Sequence, residues 1–174
     1  MNSRKKLLII AASNGENLKL AKNFVSIGQE LNMSPELIDL TELDLALYSP
    51  QKHSELGIPS EIESLSNQML SHPYWVICSP EYNGSIPPVL TNAIAWLSVQ
   101  DNNFRSLFNG RPIAMASFSG GGCMELLISL RIQLTHLGAQ VVGRHLASNS
   151  KNPAKDETIK EILERLKQMQ PLII

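Results

Sequence analysis

Tyr74-Trp75-Val76-Ile77-Cys78-Ser79-Pro80-Glu81-Tyr82-Asn83-Gly84-Ser85-Ile86-Pro87-Pro88 is the stretch on which the fold turns. It opens on a short apolar run of the kind that forms a buried strand. Directly after it, residues 89–97 have the apolar spacing of a helix, with Pro88 near the first turn, where a missing N–H costs little. Between them, residues 79–88 are polar and proline-rich. A loop placed where a strand ends and a helix begins is the usual seat of a ligand in an open parallel sheet. Its residues also suggest a shaped loop: Pro80, Pro87 and Pro88 fix backbone angles, Asn83-Gly84 is a strong turn pair, and Tyr82 offers a flat amphipathic ring.

The alternation of apolar run and amphipathic stretch extends outward to both ends of the chain. Residues 6–12 read as a first strand, and 17–31 as a helix with Leu18, Ala21, Phe24, Val25 and Gly28 on one face. Residues 34–40 read as a second strand. Residues 60–71 read as a helix, with Ser60 as N-cap and Glu63 completing a capping box. Beyond the central stretch, 111–118 read as a fourth strand and 124–137 as a helix closed by Gly138. Residues 139–142 follow as a fifth strand and 156–170 as a charged last helix. Residues 41–59, with Pro50 and Gly57, read as a long irregular connection. Residues 101–109 read as a polar connection from which Phe104, Leu107 and Phe108 tuck against the fold.

Strand and helix alternating throughout argue for a doubly wound α/β protein. Five strands suit the flavodoxin-like parallel order 2-1-3-4-5, a three-layer sandwich, better than the longer dinucleotide-binding order. With no repeat, low-complexity segment or linker, residues 1–174 read as a single domain.

The totals exclude several classes. A formal net charge of −1 provides no basic face for nucleic acid. No apolar run approaches the length of a membrane span. Arg4-Lys5-Lys6 before Leu7 to Ala12 resembles the opening of a signal peptide, but Ser13-Asn14-Gly15-Glu16 ends that run after six residues, and a buried strand explains it better. Cys78 and Cys123 have no metal-ligand spacing and read as reduced thiols of a cytoplasmic protein.

The expected strand order gathers three polar strand ends at one edge of the sheet. The first loop carries Ser13, Asn14, Gly15 and Asn17 ahead of a helix N-terminus, where unpaired N–H groups favour a phosphate. Simple helix capping is the alternative reading of the same residues. The second loop offers amides, Asn83 and Tyr82 to a planar heteroaromatic ring, while Glu81 fits a solvated, a loop-holding or a subunit-contact role. The third, Ser117-Phe118-Ser119-Gly120-Gly121-Gly122-Cys123, lets a backbone approach a ligand edge closely. His53, His72, His136 and His145 are scattered without acidic or cysteine partners at ligand spacing and read as surface or helix-end residues. With no metal set and no Ser-His-Asp arrangement, the chemistry falls to a bound cofactor.

Pro80-Glu81-Tyr82-Asn83-Gly84-Ser85-Ile86-Pro87, with Leu90-Thr91-Asn92-Ala93-Ile94 and Trp96-Leu97, resembles the signature of the NAD(P)H-dependent FMN reductases. That flavodoxin-like group includes quinone, azo-dye and chromate reductases. Residues 119–122, Leu130-Arg131 and Gly138 fit it as well. The resemblance implies an FMN-dependent oxidoreductase that carries electrons from NADPH or NADH to a quinone, azo, flavin or metal-oxyanion acceptor. It implies that Ser13 and Asn17, beside Asn14, hold the FMN phosphate. Pro80, Glu81, Tyr82, Asn83 and Gly84 would line the isoalloxazine ring, and Ser117, Ser119, Gly120, Gly121 and Gly122 its other edge. It further implies a homodimer or homotetramer. One segment departs from the family, because residues 13–17 are shorter than its usual phosphate loop, contain no arginine and include an acid. Losing one charge-assisted contact costs about 1.5–3 kcal/mol of phosphate affinity. Arg105, Arg111 and Arg144 are candidates for a nucleotide 2′-phosphate. A non-catalytic flavin-binding electron carrier or redox regulator, and an interaction module that has lost FMN, are the alternative functions.

Overall fold

The apolar runs of the sequence become a parallel sheet in the computed structural model, which describes residues 4–100 and 104–172. Strands β1 (Lys5–Ala11), β2 (Met33–Asp39), β3 (Tyr74–Cys78), β4 (Pro112–Phe118), β5 (Gln140–Val141) and β6 (Leu146–Ser148) make up the sheet. Around them lie helices α1 (Glu16–Glu30), α2 (Pro50–Leu56), α3 (Ser60–Ser71), α4 (Pro88–Leu97), α5 (Met124–His136) and α6 (Asp156–Gln168). The strand order is β2-β1-β3-β4-β5, with β6 also on β4, and all of these pairs are parallel. This is the flavodoxin-like order expected from the sequence.

Successive side chains of a strand point to opposite faces, so each central strand feeds two cores. Leu8, Ile10, Trp75, Ile77, Ile113 and Met115 pack with the inner residues of α3, α4 and α5. Leu7, Ile9, Tyr74, Val76, Ala114 and Ala116 pack with those of α1 and α6. Burial on both faces is why these strands read as continuous apolar runs rather than as an alternation. Among the described residues, no helix is long and apolar enough to cross a membrane.

Three expectations need correction. The fifth strand is in two pieces: β5 pairs with the start of β4, the chain breaks over Gly143-Arg144-His145, and β6 rejoins beside the end of β4. Residues 41–59 are not irregular throughout, since they hold a 3-10 turn (Leu40–Glu42) and α2. Helix α2 has Ser49 as N-cap, accepting from the Lys52 amide, Pro50 in its first turn, and Gly57 at φ 69° closing it. It buries no residue, so it left no apolar period to read. At α3 the N-cap is Pro59 without a side-chain bond, and Ser60 Oγ turns instead to Glu61, so the capping box does not form. Leu107 and Phe108 are buried as expected, while residues 101–103 and the Phe104 side chain lie outside the described part.

Candidate functional site

Register fixes where the loops emerge. Ala11 lies beside Cys78, Cys78 beside Ala116, and Ala116 beside Leu146. The ladder runs one step further, with the Ala12 amide on Cys78 O at 2.9 Å and the Ser79 amide on Ala116 O at 3.0 Å. Strands β1, β3 and β4 therefore end at one level, and the loops after them leave the sheet side by side.

The first loop enters α1 through Gly15, which carries no side-chain cap. The Leu18 and Lys19 amides donate to Gly15 O, so the N–H groups ahead of them face outward at the positive end of the helix. Ser13 is half-buried and Asn14 exposed beside this turn. Lys19, the nearest cation in the helix, is drawn to Glu16 at 2.6 Å. Asn17 is buried and is the clip of the site. Its Nδ2 donates to Phe118 O and its Oδ1 accepts from the Phe118 amide, both at 2.8 Å. Its side chain thus joins the first loop to the end of β4.

In the second loop, Tyr82 and Ser85 exchange backbone bonds of 3.1 and 3.0 Å around Asn83 (φ 51°) and Gly84 (φ 67°). Two central residues at positive φ make a type I′ turn, which asparagine and glycine adopt most easily. The turn carries the Tyr82 ring, 51% exposed, away from the core, while Ser79 and Pro80 at its base are buried. Glu81 takes the loop-holding role among those open to it. Its Oε2 accepts from the Leu126 amide at 3.2 Å, in the first turn of α5, where the N-cap Cys123 (φ 61°) makes no side-chain capping bond and turns its thiol to Ser148 O instead.

The third loop is held from below by Ser148 of β6, a residue the sequence did not single out. Ser148 O accepts from the Ser119 amide at 3.1 Å, and its Oγ donates to Ser117 O at 2.9 Å. The loop's only near bond of its own kind is the Gly121 amide on Ser119 Oγ at 3.5 Å. Gly120 and Gly122 face open space, whereas Gly121 adjoins the Glu81 carboxylate. Ser117 Oγ is buried without a partner. An uncapped helix turn, an orphaned hydroxyl and an open glycine tract are unmet donors and free space for a phosphate and a flat ring.

Asn92 and Trp96 act on the segment after β2. The Tyr48 amide donates to Asn92 Oδ1 at 2.8 Å, and Asn92 Nδ2 and Trp96 Nε1 both donate to Ala46 O. Tyr48 also meets the Trp96 ring edge-on at 5.2 Å. These bonds clasp residues 46–48 to α4 and leave an apolar groove of about 280 Å³ between Leu43, Leu45, Leu47, Pro88 and Val89, next to the second loop.

The fold places other candidates away from the three loops. Arg111 lies at the opposite end of β4, where it donates to Leu107 O and His72 O and covers the Trp75 ring; burial pulls its pKa down to about 10. Arg105 precedes the same strand end, and Arg144, in the break between β5 and β6, pairs with Glu161. His72 ends α3 but is buried, with an acidic partner, Glu36, at 3.3 Å from Nε2. His145 is held below the usual histidine range by burial and by Arg131, and its Nδ1 is buried without a partner. Both cysteines are buried free thiols, and burial pushes the Cys78 thiol far up.

The model of the family described as NADPH-dependent FMN reductase matches residues 5–153, which contain all three loops. The chain belongs to that family. A quinone reductase of Escherichia coli K12 is 30% identical over 133 residues, covering 75% of this chain and 66% of that protein. The chain thus spans just under two thirds of that relative's length. An NAD(P)H-dependent FMN reductase of Pseudomonas aeruginosa is 34% identical over 89 residues, 51% of this chain and 45% of that protein. Among solved structures, the FerB NAD(P)H:(acceptor) oxidoreductase of Paracoccus denitrificans superposes with a TM-score of 0.74 at 20% identity, over 95% of this chain and 97% of that one. That likeness confirms the fold. In this chain the Pro80 to Pro87 segment builds a type I′ turn, and its glutamate caps a neighbouring helix.

Proposed function

We propose that this chain is an FMN-dependent NAD(P)H oxidoreductase acting on a small-molecule acceptor. The observation that carries the reading is the convergence of the loops after β1, β3 and β4 at one sheet level, tied together by Asn17 and Glu81. Ser13, Asn14 and the uncapped first turn of α1 would hold the phosphate. Pro80, Tyr82, Asn83 and Gly84 would line the flavin ring, with Ser117, Ser119, Gly120, Gly121 and Gly122 along its other edge. The Asn17 and Glu81 side chains are already engaged within the protein, so they would act chiefly by holding these loops in place. FMN, when bound, supplies the redox chemistry, taking electrons from NADPH or NADH and giving them to the acceptor.

A quinone is the acceptor favoured here. The named Escherichia coli relative supports it, and so does the apolar groove beside the second loop, which suits a flat apolar ring better than a metal oxyanion. Free buried thiols suit a cytoplasmic protein, and a homo-oligomer, dimer or tetramer, completes the reading. Titrating the purified protein with FMN should quench flavin fluorescence, and anaerobic NADPH or NADH should then bleach the bound flavin. Unquenched fluorescence overturns the proposal and leaves an interaction module. Flavin that binds yet stays oxidised with both nucleotides makes the chain an electron carrier or redox regulator.

A further inference from the structure

The three loops of the candidate site are short of positive charge. Across residues 12–19, 79–88 and 117–123 the charged residues are Glu16, Lys19 and Glu81. Glu81 is committed to the first turn of α5, and Lys19, the one cation of the three loops, is drawn onto Glu16 at 2.6 Å. Both members of that pair are open to solvent, the Glu16 side chain at 48% and that of Lys19 at 73%. Lys22, in the next turn of α1, and Lys151, in the turn after β6, lie outside these loops.

Glu16 also stands where a phosphate has most to gain. The outward-facing amides at the start of α1 are those of Glu16 and Asn17, since Leu18 and Lys19 donate to Gly15 O. A helix N-terminus favours negative charge, and here the side chain of the first helical residue already supplies it. The Asn17 side chain is spent on Phe118, so a phosphate is left with backbone amides and the side chains of Ser13 and Asn14, all neutral. Hydrogen bonds from neutral donors are about half as strong as those from charged ones. Against them stands the Glu16 carboxylate. A like charge one helix turn away, about 5 Å, costs a phosphate dianion about tenfold in affinity at the dielectric of a protein surface. The flavin ring meets no such opposition, because its contacts would come from the second and third loops.

We infer that Glu16 sets the choice of flavin. It occupies the helix end and holds Lys19, so the seat takes the unphosphorylated flavin, riboflavin, about as well as FMN. The ring contacts of the second and third loops then carry the binding, and the loop after β1 adds little discrimination. The inference rests on the flavin-binding part of the proposed function. An exposed ion pair with a merely structural role adds little to stability and leaves the ratio of the two flavin affinities unmoved when it is removed.

The test is a fluorescence titration of the purified protein, dialysed free of flavin, with FMN and with riboflavin side by side. Wild type should bind the two with dissociation constants within about tenfold of each other. Glu16→Gln should tighten FMN about tenfold and leave riboflavin unchanged, because it removes a negative charge and releases Lys19. Adding Lys19→Ala to Glu16→Gln should loosen FMN again, still without effect on riboflavin. Far-UV spectra of both variants should match wild type, since the pair is exposed. A wild-type preference for FMN beyond about tenfold overturns the inference. So does an FMN affinity that Glu16→Gln does not raise, or a riboflavin affinity that rises with it. A double variant that holds FMN as tightly as Glu16→Gln overturns the part given to Lys19. Binding of neither flavin by any of the three proteins overturns the flavin-binding function itself, an outcome distinct from the others because riboflavin fails too.

Discussion

Asn17 carries more of the site than its exposed neighbours because both ends of its amide are used on one backbone unit, that of Phe118. Asn17→Ala leaves that N–H and C=O without their partner in a largely buried place, a loss of about 1–3 kcal/mol. A lower denaturant midpoint, together with weaker FMN binding, is the expected result, because the first loop is no longer tied to β4. His145 sets a pH limit. Its pKa is lowered in the fold by burial and by Arg131, so the unfolded chain takes up this proton first, near pH 6.5. The stability it contributes is full above that pH and is lost as pH falls through the lower folded value. Thermal midpoints should therefore fall on acidification from about pH 7 to about pH 5, and His145→Leu, which also removes the orphaned Nδ1, should flatten that part of the profile.

At the scale of elements, α5 is capped from another part of the chain. Its N-cap, Cys123, has a left-handed backbone and no side-chain capping bond, so Glu81 supplies the acceptor and the negative charge that the first turn favours. Glu81→Ala should cost about 0.5–2 kcal/mol, read as a lower melting temperature, and Glu81→Gln should recover most of it by keeping an acceptor oxygen. Other elements differ in how well they could be read. β1, β3 and β4 were legible because burial on both faces writes an unbroken apolar run. Helix α2 was not, since a helix that buries nothing has no period; its Ser49-Pro50 start and Gly57 stop were the signal that could have found it. β6 was not legible either, because three residues at the sheet margin are too few to show a pattern.

For the whole molecule, the loops after β1, β3 and β4 leave the sheet side by side, so on the proposed function FMN should act on global stability rather than on one loop. Saturating FMN at about a hundred times its dissociation constant should add about 2.7 kcal/mol to unfolding, with a corresponding rise in melting temperature that Asn17→Ala reduces. The sequence by itself determined the class of fold, the parallel order, the convergence of three polar strand ends on one sheet edge and the turn at Asn83-Gly84. These depend on short-range signals: apolar period, turn residues and the rule that parallel strands end on a common edge. Only the tertiary structure decided that Asn17 clips Phe118, that Glu81 caps α5, that Ser148 holds the third loop and that Arg111 lies at the far end of the sheet. The reason is distance along the chain. The Asn17–Phe118 bonds span 101 positions, and such partners are chosen by strand register and packing, which no local run of residues records.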